Sequence, residues 1–227
     1  LLQLQRSVRK ALEAEMSFLQ SQIKPHFLYN ALNAIVAFCH TDSERAAQLL
    51  SDLGIFLRHS FDIPSTVRFI GLRGELELVE AYVAIEKARF DDRLLVTRDV
   101  DESLLDASLP PLTIQPLVEN AIRHGVMKRE EGGRVHLAIR AIGSEIAVEI
   151  SDDGVGMPPD MPAPVPLSET GRRADGGRVG VGLANIDSRL RHHYGEGLRI
   201  DSVPGAGTRV SFRIRRENAN VDGDIGR

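Results

Sequence analysis

Glu119, Asn120 and Arg123 fall within Ile114-Gln-Pro-Leu-Val-Glu-Asn-Ala-Ile-Arg-His-Gly125, an otherwise apolar stretch with helical spacing. At that spacing Glu119 and Arg123 are one turn apart, so a carboxylate, a carboxamide and a guanidinium project together. Such a set suits phosphate oxygens and a hydrated Mg2+, which takes oxygen ligands and keeps several waters. A plain Glu–Arg pair on a solvated helix face is the alternative. Asp152-Asp-Gly-Val-Gly-Met157 directly follows a strand-like segment. Gly154 and Gly156 let the backbone pass close to a ligand, and Asp152 at the strand end can accept a hydrogen bond from an exocyclic amine. An ordinary Asp-Gly turn would read the same way.

Gly180-Val-Gly182-Leu-Ala-Asn185 opens a helix, and the free N–H groups of a helix start bind phosphate well. Asn185 occupies the last position, and a long irregular loop precedes the segment. That argues against the G-x-G-x-x-G of a Rossmann unit. The sequence also has no G-x-x-x-x-G-K-[ST] phosphate loop.

His26, Asn30 and Asn33 share a helix face in Gln22-Ile-Lys-Pro-His-Phe-Leu-Tyr-Asn-Ala-Leu-Asn33. An exposed imidazole with a carboxamide one turn on can be a nucleophile with an orienting partner; a surface histidine on a bundle helix is the alternative. Pro25 is expected to kink or loosen the backbone just before His26. Phe27 follows His26, and no Asp or Glu lies within one turn either way, so a base must come from elsewhere. His192 and His193 are adjacent, and Cys39-His40 has no partners at zinc spacing, so no structural metal is expected.

The elements that position these residues follow from the apolar pattern. Residues 1–62 read as helix almost throughout, with Leu1, Leu4, Val8 and Ala11 and then Leu12, Met16, Leu19 and Ile23 forming a narrow stripe. A second helix runs from near Asp42 to Phe61, capped by Asp42 or Thr41. A lone hairpin cannot bury both faces, which predicts a dimeric four-helix bundle; packing on the downstream region is the alternative. Leu72 to Phe90 reads as helix, Leu94 to Val100 as strand, and Pro111 to His124 as helix. Arg134 to Ile142 and Glu145 to Ser151 alternate as half-buried strands joined by a turn at residues 141–144. Gly182 to Tyr194 reads as a helix ended by Gly195. Leu198 to Val203 and Thr208 to Ile214 complete a mainly antiparallel sheet with helices on one face. Met157 to Val179 holds five of the eleven prolines, which favours a lid. The polar residues 217–227 read as a frayed tail.

Composition bounds the rest. The chain has 227 residues, 42% apolar and 26% charged, enough for a core and incompatible with wholesale disorder. A net charge of -4 argues against nonspecific binding to nucleic acid or an anionic membrane. The lone Cys39 excludes an intrachain disulfide and fits a reducing compartment. The longest apolar run is Ala34 to Phe38, far short of the roughly twenty residues of a spanning helix. The chain starts with Leu rather than Met, so it is expected to be a piece of something longer.

Taken in order, these segments resemble the LytS-type sensor histidine kinases over about residues 15–214. QIKPHFLYNALNAI resembles the phosphoacceptor box of that family, and AYVAIEKARFDDRL its second block. PLTIQPLVENAIRHGV resembles the N box of the ATP domain, DDGVGM the first glycine box and GVGLANI the second. GAGTRVSFRI is similar to the closing strand of the ATP-binding fold shared with gyrase-, chaperone- and mismatch-repair-type ATPases.

The resemblance implies an α+β chain: a helical dimerisation and phosphotransfer domain over 1–62, then an α/β-sandwich ATP-binding (Bergerat/GHKL) domain over 63–216. It implies ATP and Mg2+ as cofactors, with Asp152 as the adenine anchor and Gly154 and Gly156 shaping its pocket. Asn120 becomes the Mg2+ ligand, and Glu119 a water-mediated Mg2+ contact or base. Arg123 and His124 lie near the phosphates, Gly180 and Gly182 hold the phosphate end of the lid, and Thr208 sits by Asp152 beneath the adenine. His26 becomes the phosphorylated residue. Asn30 could position water for dephosphorylation of a partner's aspartyl phosphate. The implied partners are a second copy of the chain and the receiver domain of a response regulator, in the cytoplasm, with membrane attachment only through an upstream region. An ATP hydrolase or non-histidine kinase on the same fold, and a catalytically silent dimer module, remain the alternatives.

Overall fold

The structure, a computed structural model, describes residues 25–61, 67–157 and 181–216. Helix α1 (Pro25–Cys39) and helix α2 (Ser43–Phe61) form a hairpin. The chain reverses where the N–H groups of Thr41 and Asp42 both reach the Phe38 carbonyl, at 3.1 and 2.8 Å. Asp42 is the cap: its Oδ1 accepts the Arg45 N–H at 2.9 Å, satisfying a donor that the first turn leaves free. Thr41 instead turns its hydroxyl back to the Ala37 carbonyl. Glu44 in the first turn of α2, and Arg58 and His59 in its last, suit the helix dipole.

Phe27, Ala31, Ile35, Ala46, Leu49, Leu53 and Phe56 form the buried inner face of the hairpin. That face packs on helix α3 (Leu72–Phe90), whose buried residues include Leu72, Leu76, Val79, Tyr82 and Ile85. Packing on the downstream region, the less favoured expectation, is therefore what this face does. Tyr29, Leu32, Val36 and Leu50 remain exposed elsewhere on the hairpin. The stripe from Leu1 to Ile23, the backbone ahead of Pro25, the lid from Pro158 to Val179, Gly180 and the tail all lie outside the described residues.

A two-stranded pairing of β1 (Ile70–Gly71) with β3 (Ser108–Leu109) anchors the start of α3. The main sheet holds β2 (Leu94–Val100), β4 (Gly133–Ile142), β5 (Glu145–Asp152), β6 (Arg199–Val203) and β7 (Gly207–Arg215), in the order β2-β4-β5-β7-β6. β2 and β4 are parallel, and the other neighbours are antiparallel. Val135, Leu137 and Ile139 of β4, Ile146, Val148 and Ile150 of β5, and Val210, Phe212 and Ile214 of β7 are buried at every second position. That is the period of a sheet covered on one face. The other face carries pairs such as Arg209–Glu149 at 3.3 Å and Arg213–Glu145 at 3.2 Å. Exposed pairs of this kind contribute little to stability. One continuous apolar cluster runs from Phe27 in α1 to Ile214 in β7.

Two expectations are corrected. The helix expected over Pro111 to His124 begins only at Gln115: α4 is Gln115–Asn120, followed by a π turn at Ala121–Gly125. Pro116 has no N–H to bond back along a helix, so it is tolerated only in a first turn, and α4 starts one residue before it. The β4–β5 hairpin turn is Gly143-Ser144 alone, with Gly143 at φ 62°, because Ile142 still pairs with Glu145. Helix α5 (Val181–Tyr194) ends as expected at Gly195, whose N–H bonds the Arg191 carbonyl at 2.9 Å.

Candidate active site

Asp152 is the last residue of β5, paired in register with Thr208 of β7. Its Oδ1 accepts the N–H of Gly154 at 2.9 Å. Burial pushes its carboxyl up to about 6, against the opposing pull of the Gly154 and Thr208 N–H groups and with a smaller push from Asp153. A half-buried carboxylate at a strand end is a ready acceptor for a donor that replaces water.

The backbone around it is packed too closely for side chains. A Cβ on Gly154 would stand 2.2 Å from the Gly125 carbonyl carbon, and a Cβ on Gly125 would stand 2.5 Å from Asp152 Oδ1. The end of the N-box segment and the first glycine box therefore touch through paired glycines, joined also by the Val155 N–H to the Gly125 carbonyl at 3.4 Å. Gly156 has φ 68° and lies against the Val203 carbonyl, so a side chain there is excluded both by conformation and by space. Thr208 holds Ser202 across the hairpin, Oγ1 to Oγ at 2.9 Å, and Ser202 Oγ accepts the Met157 N–H at 2.8 Å. Ser202 thus ties the exit of the glycine box to β6, a role that one serine in a strand does not announce.

Glu119 and Asn120 end α4, and Arg123 and His124 lie in the π turn, a feature often found at functional sites. Arg123 Nη1 donates to Glu119 Oε1 at 2.8 Å, and this bond raises the Arg123 pKa. Glu119 is buried, Asn120 and Arg123 are half-buried, and His124 is exposed. A carboxamide and a carboxylate side by side, with no cage of three or more acidic, His or Cys ligands among the described residues, fit a Mg2+ that keeps waters and phosphate oxygens as its other ligands. Behind the pair, α3 buries Tyr82 and Glu86, one turn apart. Burial, then the Glu86 and Glu119 charges, pushes the Tyr82 hydroxyl well above the phenol range. Burial likewise raises the Glu86 carboxyl, opposed first by Arg89 at 3.6 Å and then by Arg123.

His26 lies exposed in the first described turn of α1, with Asn30 Nδ2 at 3.0 Å from Nδ1 and 3.3 Å from Nε2. Phe27, about 100° round the helix, turns into the core. Its ring centroid is 4.7 Å from Phe56 and 5.2 Å from Tyr82. The position after His26 is therefore a packing anchor, which accounts for the missing acid there. Gly182 is exposed in the first turn of α5. The geometry brings Asp152, Gly154, Gly156, Thr208 and the end of the N box together; His26 and Asn30 lie on helix α1.

Glu75 and Glu86 were not singled out in the sequence, although both fall on the apolar stripe of Leu72, Leu76, Val79 and Tyr82. A carboxylate at a core position of an amphipathic helix was the signal that could have found them.

Two family models match successive parts of the chain. The first, described as "Histidine kinase", covers residues 14–94, and the second, "Histidine kinase-, DNA gyrase B-, and HSP90-like ATPase", covers residues 106–218. The chain is 42% identical over 215 residues to the uncharacterised protein YwpD of Bacillus subtilis (strain 168), covering 94% of this chain and 74% of YwpD. It is 37% identical over 204 residues to the sensor histidine kinase BtsS of Escherichia coli (strain K12), covering 89% of this chain and 33% of BtsS. The chain belongs to the sensor histidine kinase family. The sensor protein LytS of Bacillus subtilis (strain 168) is a further relative, 34% identical over 206 residues, 89% of this chain and 34% of LytS. This histidine kinase chain thus spans about a third of the length of its named kinase relatives. His26 falls in the first matched stretch and Asp152 in the second, an ATPase module of α+β fold. No helix among the described residues is long and apolar enough to cross a membrane.

Proposed function

We propose that this chain is an ATP-dependent protein-histidine autokinase that phosphorylates His26 and passes the phosphoryl group to an aspartate of a response-regulator receiver domain. The observation that carries the reading is the half-buried Asp152 in its glycine-lined cradle, in a chain that also presents an exposed imidazole on a stem helix. Asp152 accepts a hydrogen bond from the exocyclic amine of adenine, and Gly180 and Gly182 of the second glycine box are the candidates for the phosphate end. Asn120 and Glu119 would hold a Mg2+, which when bound neutralises charge on the transferring phosphoryl group.

The chain's own groups do the rest. Arg123 and the helix-start N–H groups stabilise the developing charge. A ring nitrogen of His26 donates its lone pair to the γ-phosphorus, ADP leaves, and the ring proton passes to a base, for which Glu119 is the candidate. Asn30 orients the imidazole and is the candidate to hold a water for a separate, opposing reaction, hydrolysis of the regulator's aspartyl phosphate to aspartate and inorganic phosphate. Residues 1–62 pair two chains; the apolar Tyr29, Leu32, Val36 and Leu50, left exposed on the hairpin, supply a face for that contact. The reading places the chain in the cytoplasm, where ATP and the regulator are, with any membrane attachment upstream.

Incubation with γ-labelled ATP and Mg2+ tests it. The expected result is label stable to base and labile to acid, absent in His26→Gln. Label on Ser, Thr or Tyr, or label that survives His26→Gln, would overturn the assignment.

A further inference from the structure

Leu112, in the turn that leads into α4, has φ 54°, a left-handed conformation that a leucine rarely adopts. Two charges, one fully buried and one half-buried, hold it there from opposite elements. Glu75 of α3 is fully buried. Its Oε1 accepts the Leu112 N–H, and its Oε2 accepts the N–H groups of Thr113 at 3.1 Å, Ile114 at 2.7 Å and Gln115 at 3.4 Å. Arg189 of α5 reaches the same turn from the other side: Nη1 donates to the Pro111 carbonyl at 2.6 Å and Nη2 to the Leu112 carbonyl at 2.8 Å. Its Nε is buried and makes no hydrogen bond.

Burial works against both ions, raising the Glu75 pKa and lowering that of Arg189. Charges drawn out of water in this way often add no more stability than apolar residues of similar volume. Their positions suggest another use. Glu75 caps the helix that ends in Glu119 and Asn120 and runs on to Arg123. Arg189 lies two turns beyond Gly182 on the helix that opens with the second glycine box.

We propose that Glu75 and Arg189 are positioning residues that clamp the turn at residues 110–113, registering the Mg2+- and phosphate-side segment of the N box against helix α5. The proposal rests on the ATP-binding reading above. It assigns to the clamp the phosphate end of the nucleotide and leaves the adenine end, around Asp152, independent of it. Loss of the clamp shifts Asn120 and Arg123 relative to the phosphates while β5 and β7 stay in place.

The test compares Arg189→Ala, Arg189→Lys and Glu75→Gln with the wild-type chain for binding of adenosine and of Mg2+–ATP, and for phosphorylation of His26. Ile186 and Leu190 keep α5 packed in the Arg189 variants. Arg189→Ala is expected to bind adenosine as the wild type does, to weaken Mg2+–ATP about tenfold and to slow phosphoryl transfer by ten- to roughly a hundredfold, the scale of a small misplacement of catalytic groups. Arg189→Lys recovers only part, because an ammonium lacks the planar fork that spans two carbonyls. Glu75→Gln gives the same split, and the double variant is less than multiplicative, as expected for residues sharing one turn.

Equal losses for adenosine and Mg2+–ATP would show a merely structural role and overturn the proposal, as would wild-type affinity and rate in Arg189→Ala. The binding split stands without phosphorylation, so a chain that binds nucleotide but leaves His26 unlabelled sinks the autokinase reading alone. A wild-type chain that binds neither ligand overturns both.

Discussion

At the scale of single residues, Asp152 couples ligand recognition to protonation. Its carboxyl is raised from an ordinary 3.8 to about 6, chiefly by burial. A folded-state pKa above the unfolded one means that the folded form binds the proton more tightly. The stability associated with that proton is full below about 3.8 and is lost as pH rises through about 6. Asp152→Asn is therefore expected to raise the melting temperature at pH 7 and to leave it little changed at pH 3.5. The charged carboxylate is also the better acceptor for an amine N–H. Adenosine affinity of the wild-type chain should fall as pH drops below about 6, and Asp152→Asn should bind more weakly with a flat profile. Calorimetric titration between pH 5 and pH 8 reads both, and a steep profile retained in Asp152→Asn would count against this residue. Asp152 could be picked out from the sequence because a short motif surrounds it. Glu75 shows in the sequence only as a carboxylate on an apolar helix face; its partners, backbone N–H groups 37 to 40 residues further on, do not.

At the scale of elements, periodicity and capping carried most of the reading. Leu72 to Phe90 and Leu94 to Val100 have the bounds read from the sequence; the buried positions of the helix recur every three or four residues, and the strand is set off by the polar turn at Asp91–Arg93 before it and Asp101 after it. The N box resisted because two constraints there oppose its helical pattern. Pro116 delays the start of the helix, and the π turn that ends it at Gly125 answers to a contact with Gly154 from a distant strand end. The start of α2 is simpler, since a single side chain caps it. Asp42→Ala should cost about 1 kcal/mol. For a domain of this size that lowers the melting temperature by roughly 2–4 °C. Asp42→Ser should recover most of the loss, and an unchanged melting temperature for Asp42→Ala would show the cap to be dispensable.

For the whole molecule, the apolar cluster from Phe27 to Ile214 joins stem and nucleotide-binding region through α3. Phe27, Phe56 and Tyr82 are the aromatic part of that joint, with Phe56 and Tyr82 centroids 6.1 Å apart. The resemblance divided the chain near residue 62, ahead of the break marked by Pro64 and Gly71. A shared core has no signature in composition, since each contributing helix looks equally amphipathic whether its partner is another stem helix or α3. The hairpin's other residues, Tyr29, Leu32 and Val36, fall on one exposed stripe of α1. Val36→Asp is expected to leave the melting temperature of the folded chain nearly unchanged while shifting its mass by light scattering from dimer to monomer. A variant still dimeric at micromolar concentration would move the pairing surface elsewhere.

The strand order adds a consequence for how the molecule comes into being. β4 with β5 and β6 with β7 are sequence neighbours and can zip as hairpins, but β2 joins β4 only after the segment holding Glu119, Asn120 and Arg123 has crossed over between them. Contacts between distant parts of a chain bear the cost of closing long loops and tend to form late. β5 joins β7 across a longer gap still, Asp152 with Thr208 and Glu145 with Arg215, so the two hairpins are expected to unite no earlier than β2 meets β4. Both ends of the candidate site thus wait on distant pairings, and a chain with only its hairpins zipped is expected to hold no nucleotide.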